Sequence, residues 1–273
     1  MLVDTHCHLD AGEFDADRDE VLAASRRAGV GAFIVPAIAA DQLEPVVALA
    51  DRHGDVCFAL GIHPLLVDRS VDADLMRVRE AVAAARAHPR FVGLGEIGLD
   101  FFVPGLDRER QVRFFIEQLR IARDFELPVI MHVRRSVDAV AKELRRFRPV
   151  GGIAHAFNGS EQQARQLIDL GMALGFGGAM TFPRARNIRR LAQSLPLEGM
   201  VLETDSPDIA PAWLHPGRNT PAELPRIARE LADLRGIGYE AVVQATAATA
   251  CRVLPPLGSL GATPEDRCRN SVD

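Results

Sequence analysis

The fold class this sequence predicts is α/β, a parallel (β/α)8 TIM barrel. Three observations predict it. Eight short runs rich in Val, Ile, Leu or Phe recur along the chain, each bounded by Gly, Pro or Asp. Each run is followed by a stretch with helical apolar spacing, as a barrel of about 250 residues requires. Six of the eight runs end in or beside His, Glu or Asp, the residue types that hold metal ions.

In chain order, the first strand is expected over 2–6 and is followed by a helix over 18–28 carrying Val21, Leu22 and Ala28. The second, 31–38, leads to a helix over 41–52 with Leu43, Val46, Val47 and Leu49. Strands over 55–62 and 91–96 precede helices over 72–87 and 107–125, the latter with Val112, Phe115, Ile116 and Leu119 at helical spacing. Strands over 128–133 and 150–156 precede helices over 136–147 and 160–170. Ser160-x-x-Gln163 has the form of a capping box for the second of these. The last two strands, 172–177 and 200–204, lead to helices over 185–194, 221–234 and 239–253. The main competing fold is a doubly wound open sheet. Gly93-Leu94-Gly95-Glu96-Ile97-Gly98 matches the dinucleotide pattern G-x-G-x-x-G, but a helix must open there at once, and 99–105 has the composition of a loop. No repeat or linker divides the chain, so 1–254 is expected to be one domain. Pro255-Pro256 begins a tail, 255–273, expected to be poorly ordered.

At 273 residues, 48% of them hydrophobic, the chain is long enough to bury a full core. The net charge of −5 argues against gripping duplex DNA through a basic surface, while leaving room for a basic patch inside a cleft. Cys7, Cys57, Cys251 and Cys268 form no Cys-x-x-Cys pair, which suits reduced thiols and a cytoplasmic location. No basic-plus-apolar leader and no membrane-length apolar run is evident, so neither a membrane nor an obligate protein partner is expected.

In a parallel barrel the C-terminal strand ends share one face. His6 and His8 near the end of strand 1, His63 after strand 3, Glu96 at strand 4, His132 at strand 5, His155 at strand 6 and Asp205 after strand 8 would therefore converge. His-x-His on a strand places both imidazoles on one side. Four imidazoles and two carboxylates, from His6, His8, Glu96, His132, His155 and Asp205, exceed the needs of one tetrahedral ion. They suit two ions bridged by a carboxylate. Many barrel hydrolases with a His-x-His opening use a carboxylated lysine as the bridge. Here the one lysine, Lys142, lies in a helix, so Glu96 is the natural substitute. His53, His88 and His215 fall in helix ends or loops and are expected to be solvated; His63 could contact substrate.

Asp4-Thr5-His6-Cys7-His8-Leu9-Asp10, Gly61-Ile62-His63-Pro64, Gly95-Glu96-Ile97-Gly98-Leu99-Asp100, Pro128-Val129-Ile130-Met131-His132, His155-Ala156-Phe157-Asn158-Gly159-Ser160 and Leu202-Glu203-Thr204-Asp205-Ser206-Pro207 occur in the order seen in TatD-type metal-dependent DNases. Arg218-Asn219-Thr220-Pro221 is similar to that family's Arg-Asn-x-Pro element. The resemblance covers nearly all of 1–250. It implies a TIM-barrel hydrolase with a two-metal centre acting on nucleic-acid phosphodiesters. By residue-for-residue match, it implies His6, His8, Glu96 and Asp205 around one metal and Glu96, His132 and His155 around the other. Three positions depart from the common pattern: Leu65 where many members carry a further histidine, Arg134-Arg135 where many carry Arg-Asp, and Asp208 where an aromatic often stands.

The expected chemistry is hydrolysis by water activated between two ions, with Asp205 as the proton acceptor. Arg134, Arg135, Arg184 and Arg186 are placed after strands 5 and 7 to bind substrate phosphate. Phe157, Phe176, Phe182 and Trp213 are candidates for base stacking, with packing as the alternative. A basic pocket in an acidic protein fits single-stranded DNA ends, hence a 3′-5′ exonuclease. Two alternatives stay open: hydrolysis of another ester or amide, such as an aminoacyl-tRNA ester, and a non-catalytic metal-binding barrel. Four histidines favour Zn²⁺ or Mn²⁺ by ligand softness, whereas the resemblance implies Mg²⁺.

Overall fold

The computed structural model describes residues 1–259 and contains the eight expected strands in the expected order. They are β1 (Leu2–Asp4), β2 (Val30–Pro36), β3 (Val56–Leu60), β4 (Phe91–Asp100), β5 (Val129–Arg134), β6 (Gly152–His155), β7 (Met172–Phe176) and β8 (Met200–Leu202). Each pairs in parallel with the next in sequence. The ring closes just beyond β1 and β8, where Thr5 N donates to Leu202 O at 3.0 Å and Asp205 N to His6 O at 2.8 Å. An uninterrupted strand order excludes the doubly wound sheet, which needs a reversal part-way across.

The outer layer is α1 (Arg18–Ala28), α2 (Leu43–Arg52), α3 (Asp72–Ala85), α4 (Arg108–Asp124), α5 (Val137–Phe147), α6 (Glu161–Asp169), α7 (Arg186–Ser194) and α8 (Leu224–Arg235), followed by α9 (Tyr239–Val253). α5 shows why these segments become helices against the barrel. Val137, Val140, Ala141, Leu144 and Phe147 follow i, i+3, i+4, i+7 spacing and are all buried. Each large apolar side chain there contributes about 1.5–3 kcal/mol on burial. Asp at position 140 would therefore detach that face. α6 starts at the expected capping box, Gln163 N donating to Ser160 Oγ at 3.1 Å and Ser160 N to Gln163 Oε1 at 3.0 Å.

α9 does not join the outer ring. Val3, Ile34, Cys57, Ala59, Val92, Ile130, Ile153 and Val201 fill the barrel interior and pack with Ala250, Val253 and Leu254. The same helix holds Glu198, just ahead of β8, through Thr249 Oγ1, so it plugs the N-terminal end. The expected tail begins differently from the sequence reading. Pro255–Ser259 forms a 3-10 turn with Leu257 buried in this plug, because the barrel floor offers an apolar surface that polarity alone does not reveal. The rest of that expectation, 260–273 with Cys268, lies outside the described residues.

Two strand boundaries differ where it matters for the site. β1 stops at Asp4 rather than at 6, because the Asp4 carboxylate accepts from Thr204 N at 2.9 Å and from Thr204 Oγ1 at 2.6 Å. His6 and His8 are thus set by the loop after the strand, not by strand alternation. β4 runs on to Asp100 instead of ending at 96, since Ile97 and Leu99 are fully buried. Gly98 makes this continuation fit, with φ +134° and a position where a Cβ would lie 2.0 Å from His132 O. Glu96 is bracketed by a register shift between Leu94 and Ile97 against β5, a local irregularity of the kind that re-aims a side chain. Among the described residues no helix is long and apolar enough to cross a membrane.

Candidate metal centre

At the C-terminal ends of the strands lies a cleft of about 960 Å³. Glu96 sits at its floor, 1% exposed, and its two oxygens face different neighbours. Oε2 is 3.2 Å from His6 Nε2 and 3.7 Å from His8 Nε2, and Asp205 Oδ1 is 3.6 Å from both of those nitrogens. Oε1 is 2.9 Å from His155 Nε2 and 3.4 Å from His132 Nδ1, which are themselves 3.3 Å apart. All six residues named from the sequence therefore meet, in two groups that share one carboxylate.

The donor chemistry fits cations. His6 Nε2 and His8 Nε2 lie 3.2 Å apart, and at that distance two imidazole nitrogens oppose lone pairs unless a proton or a cation lies between them. His6 with His8 and Glu96, and His6 with His155 and Asp205, bring their donor atoms within 4.8 Å of one another, close enough to share an ion. Mixed imidazole and carboxylate donors suit Zn²⁺, Mn²⁺ or Mg²⁺ in different degrees. The electrostatics agree. Burial penalises the Glu96 anion, yet His63, His155 and His6 around it hold it well below the usual carboxylate range. Burial likewise opposes charge on His155, but Glu96 outweighs it and raises the imidazole to about 10. His6 is pushed down to about 3 by burial and by His155. An anionic carboxylate among imidazoles that it helps to protonate is a place where a cation can displace a proton.

His63 differs from the other four histidines. Its Nδ1 accepts from Leu65 N at 3.1 Å, so the neutral ring carries its proton on Nε2. That Nε2 points at Glu96 Oε1, 3.3 Å away. His63 is thus a hydrogen-bond donor into the site. The group of His63, Glu96 and His132 is close enough to hold an ion, but His63 in this tautomer lacks the free lone pair to take part. Strain gathers at the same place: Arg135, Ala156 and Asp205 follow β5, β6 and β8 with φ of 54°, 45° and 55°.

Arg134 and Arg135 line the cleft, stacked against Phe102 with their guanidinium carbons 3.8 and 4.7 Å from its ring centre. Arg184 and Arg186, expected beside them, are exposed and form no part of the cleft wall. Gly178–Thr181 after β7 is a 3-10 turn, and its Ala179, together with Ile188 of α7, lines the cleft instead. The aromatic expectation resolves to packing. Phe157 and Phe176 are fully buried, Phe182 meets the ring of His215, and Trp213 Nε1 donates to Glu223 Oε2 at 2.6 Å. His53 and His88 are not free in solvent as expected, lying 3.3 Å from Asp19 and 2.9 Å from Asp51. Lys142 is exposed beside Glu143, far from any bridging role. Asn219 is buried and donates to Thr204 O and Asp208 O, clamping the loop after β8, while Arg218 pairs with Asp17 on the surface. The sequence reading missed Asp100 and Phe102, which fall in the segment taken as loop.

The family model for TatD related DNase matches residues 3–255. The chain belongs to the TatD family. An Escherichia coli K12 TatD-family relative, "Uncharacterized metal-dependent hydrolase YjjV", is 38% identical over 244 residues, 89% of this chain and 93% of the relative. The crystal structure of the E. coli K12 TatD homologue YjjV matches with a TM-score of 0.89 at 36% identity, covering 93% of this chain and 98% of that one. A Cronobacter turicensis protein named "3'-5' ssDNA/RNA exonuclease TatD" is 33% identical over 262 residues, 92% of this chain and 97% of its own. This TatD-family chain is accordingly a metal-dependent hydrolase, with a centre of imidazoles and carboxylates at the mouth of its barrel.

Proposed function

We propose that this protein removes nucleotides from the 3′ end of single-stranded DNA by phosphodiester hydrolysis, at a centre where His6, His8, Glu96, His132, His155 and Asp205 would hold two divalent cations. The observation that carries the reading is the split of the Glu96 carboxylate, Oε2 toward His6, His8 and Asp205 and Oε1 toward His132 and His155. The name of the Cronobacter turicensis relative supports the substrate class. So does the pairing of the histidines and carboxylates of the cleft with two arginines in its wall, in a chain of net negative charge.

Bound divalent cations would neutralise phosphate charge and lower the pKa of water at the floor of the cleft. The chain's own groups supply the rest. Asp205, whose carboxyl burial pushes up from the ordinary carboxylate range, faces the His6 and His8 side and accepts the proton of the attacking water. His63, held as a donor by Leu65 N, gives a hydrogen bond from Nε2 to a phosphoryl or leaving oxygen. Arg134 and Arg135, held against the Phe102 ring, take the neighbouring phosphate at the rim.

The test is a substrate panel with Mg²⁺, Mn²⁺ or Zn²⁺ added to chelator-treated protein. It comprises 3′- and 5′-labelled single-stranded oligonucleotides, duplex DNA, an aminoacyl ester and an amide. Stepwise shortening from the 3′ end, dependent on the metal, is the expected result. Cleavage of the ester or amide with oligonucleotides left intact would overturn the substrate assignment, and inactivity on the whole panel with metal bound would overturn the catalytic reading.

A further inference from the structure

We infer that Asp100 fixes His132 in the Nε2–H tautomer and so makes Nδ1 the nitrogen that His132 offers to a cation, an inference that rests on the metal-centre reading. Asp100 ends β4 and is 1% exposed. Its Oδ2 lies 2.9 Å from His132 Nε2. A carboxylate only accepts, so Nε2 must carry a proton, and in the neutral ring Nδ1 then keeps its lone pair. Nδ1 is the atom that faces Glu96 Oε1 and His155 Nε2.

His132 is the exception within its group. His6, His8 and His155 all direct Nε2 toward the Glu96 carboxylate, whereas His132 is turned end for end and presents Nδ1. The partner that makes the reversed orientation favourable is Asp100. Its carboxylate is surrounded by donors: besides His132, the backbone N–H groups of Phe102 and Val103 point at it. Arg134 Nη1 lies 4.0 Å from Oδ2. A carboxylate behind an imidazole also increases the electron density at the opposite nitrogen, which strengthens it as a ligand.

The other oxygen makes the inference separable from a merely structural role. Asp100 Oδ1 accepts from Phe102 N at 2.8 Å and Val103 N at 3.0 Å, which caps the loop after β4. Asp100→Asn keeps an oxygen for those two donors and must then turn its NH₂ toward His132 Nε2. That forces Nε2 to accept and puts the proton on Nδ1, blocking the ligand atom. Asp100→Ala removes the loop cap but leaves His132 free to take either tautomer. A tautomer role therefore makes Asn the worse variant for metal binding, and a loop role makes Ala the worse.

The experiment uses full-length wild type, Asp100→Asn and Asp100→Ala. Long-range ¹⁵N–¹H correlation spectra of ¹⁵N-histidine-labelled, chelator-treated protein, at alkaline pH where the ring is neutral, report the His132 tautomer. Calorimetric titration with Zn²⁺ reports affinity, and thermal unfolding reports folding. The expected result is Nε2–H in wild type and Nδ1–H in Asp100→Asn. The Asn variant should unfold near the wild-type temperature yet lose about 10–100-fold in Zn²⁺ affinity at one site. The Ala variant should lose less affinity and more thermal stability. Nδ1–H in wild type, or weaker Zn²⁺ binding by Ala than by Asn, would overturn the assignment. A wild type that shows Nε2–H but takes up no Zn²⁺ would overturn the ligation step together with the metal-centre reading, which distinguishes the two failures.

Discussion

Asp205 carries its carboxylate on a left-handed backbone, φ 55°, a conformation that Asn and Asp adopt more readily than other side chains. Asp205→Asn therefore changes the chemistry without straining the fold, and keeps one oxygen toward His6 and His8. We expect the variant to retain its metal and its affinity for single-stranded oligonucleotide while kcat falls on the order of a hundredfold, the scale of lost general-base assistance. Near-normal kcat in the metal-replete variant would reduce Asp205 to a ligand. Two residues away, burial pushes Glu203 from its ordinary 4.5 up to about 8, against the opposing pull of His155. The folded chain then holds a proton there that the unfolded chain has released, so stability falls as pH rises from about 4.5 to about 8. Glu203→Gln keeps an oxygen for Ala156 N and should flatten that slope in denaturant unfolding of chelator-treated protein. An unchanged slope would assign the pH dependence elsewhere, for instance to Asp4, which burial raises to about 7. At this scale the six proposed ligands were legible because His, Glu and Asp stand at the ends of apolar runs. Asp100 was not, because the run appeared to stop at Glu96 and the glycine that lets β4 continue has no side chain to signal it.

α4 shows how one helix positions parts of the site that it never enters. Gln118 Oε1 accepts from Ile62 N at 2.7 Å and its Nε2 donates to Ile62 O at 3.1 Å, satisfying both backbone polar groups of the residue before His63. About two turns earlier on the same face, Gln111 Oε1 accepts from Asp100 N at 2.9 Å. The expected apolar face of this helix packs against the core, with two polar residues added to it. Phe115 and Leu119 are buried, but Val112 and Ile116 are partly exposed, and Gln111 and Gln118 take the inward positions. A seven-residue glutamine spacing on a helix is the signal that could have found them, though glutamine is more often a surface residue. Gln118→Leu leaves a buried N–H and C=O without partners, at about 1–3 kcal/mol each. Urea unfolding should show that loss, accompanied by reduced kcat through a displaced His63 and unaltered metal content. Stability equal to wild type would mean that Ile62 finds other partners.

Across the whole molecule the net charge is −5, and Arg134 and Arg135 are the arginines that line the cleft, so the proposed phosphate contacts are testable there. Replacing both with Ala should raise KM for an oligonucleotide and lower the slope of log affinity against log salt by about 0.7 for each phosphate no longer neutralised. The same change at Arg184 and Arg186 should leave both quantities as they are; equal effects from the two pairs would instead indicate a diffuse surface field. The barrel itself was legible from eight apolar runs alternating with helical patterns. What was not legible was the plug made by α9 and Leu257, because a helix that closes a barrel end and one that joins its outer ring carry the same periodicity. Electron paramagnetic resonance of the Mn²⁺-loaded protein tests most directly the proposal that Glu96 would join two cations across one carboxylate. A bridging carboxylate predicts two Mn²⁺ per chain with an exchange-coupled spectrum that disappears in Glu96→Ala. One Mn²⁺ per chain, or two giving independent uncoupled signals in the wild type, would contradict it.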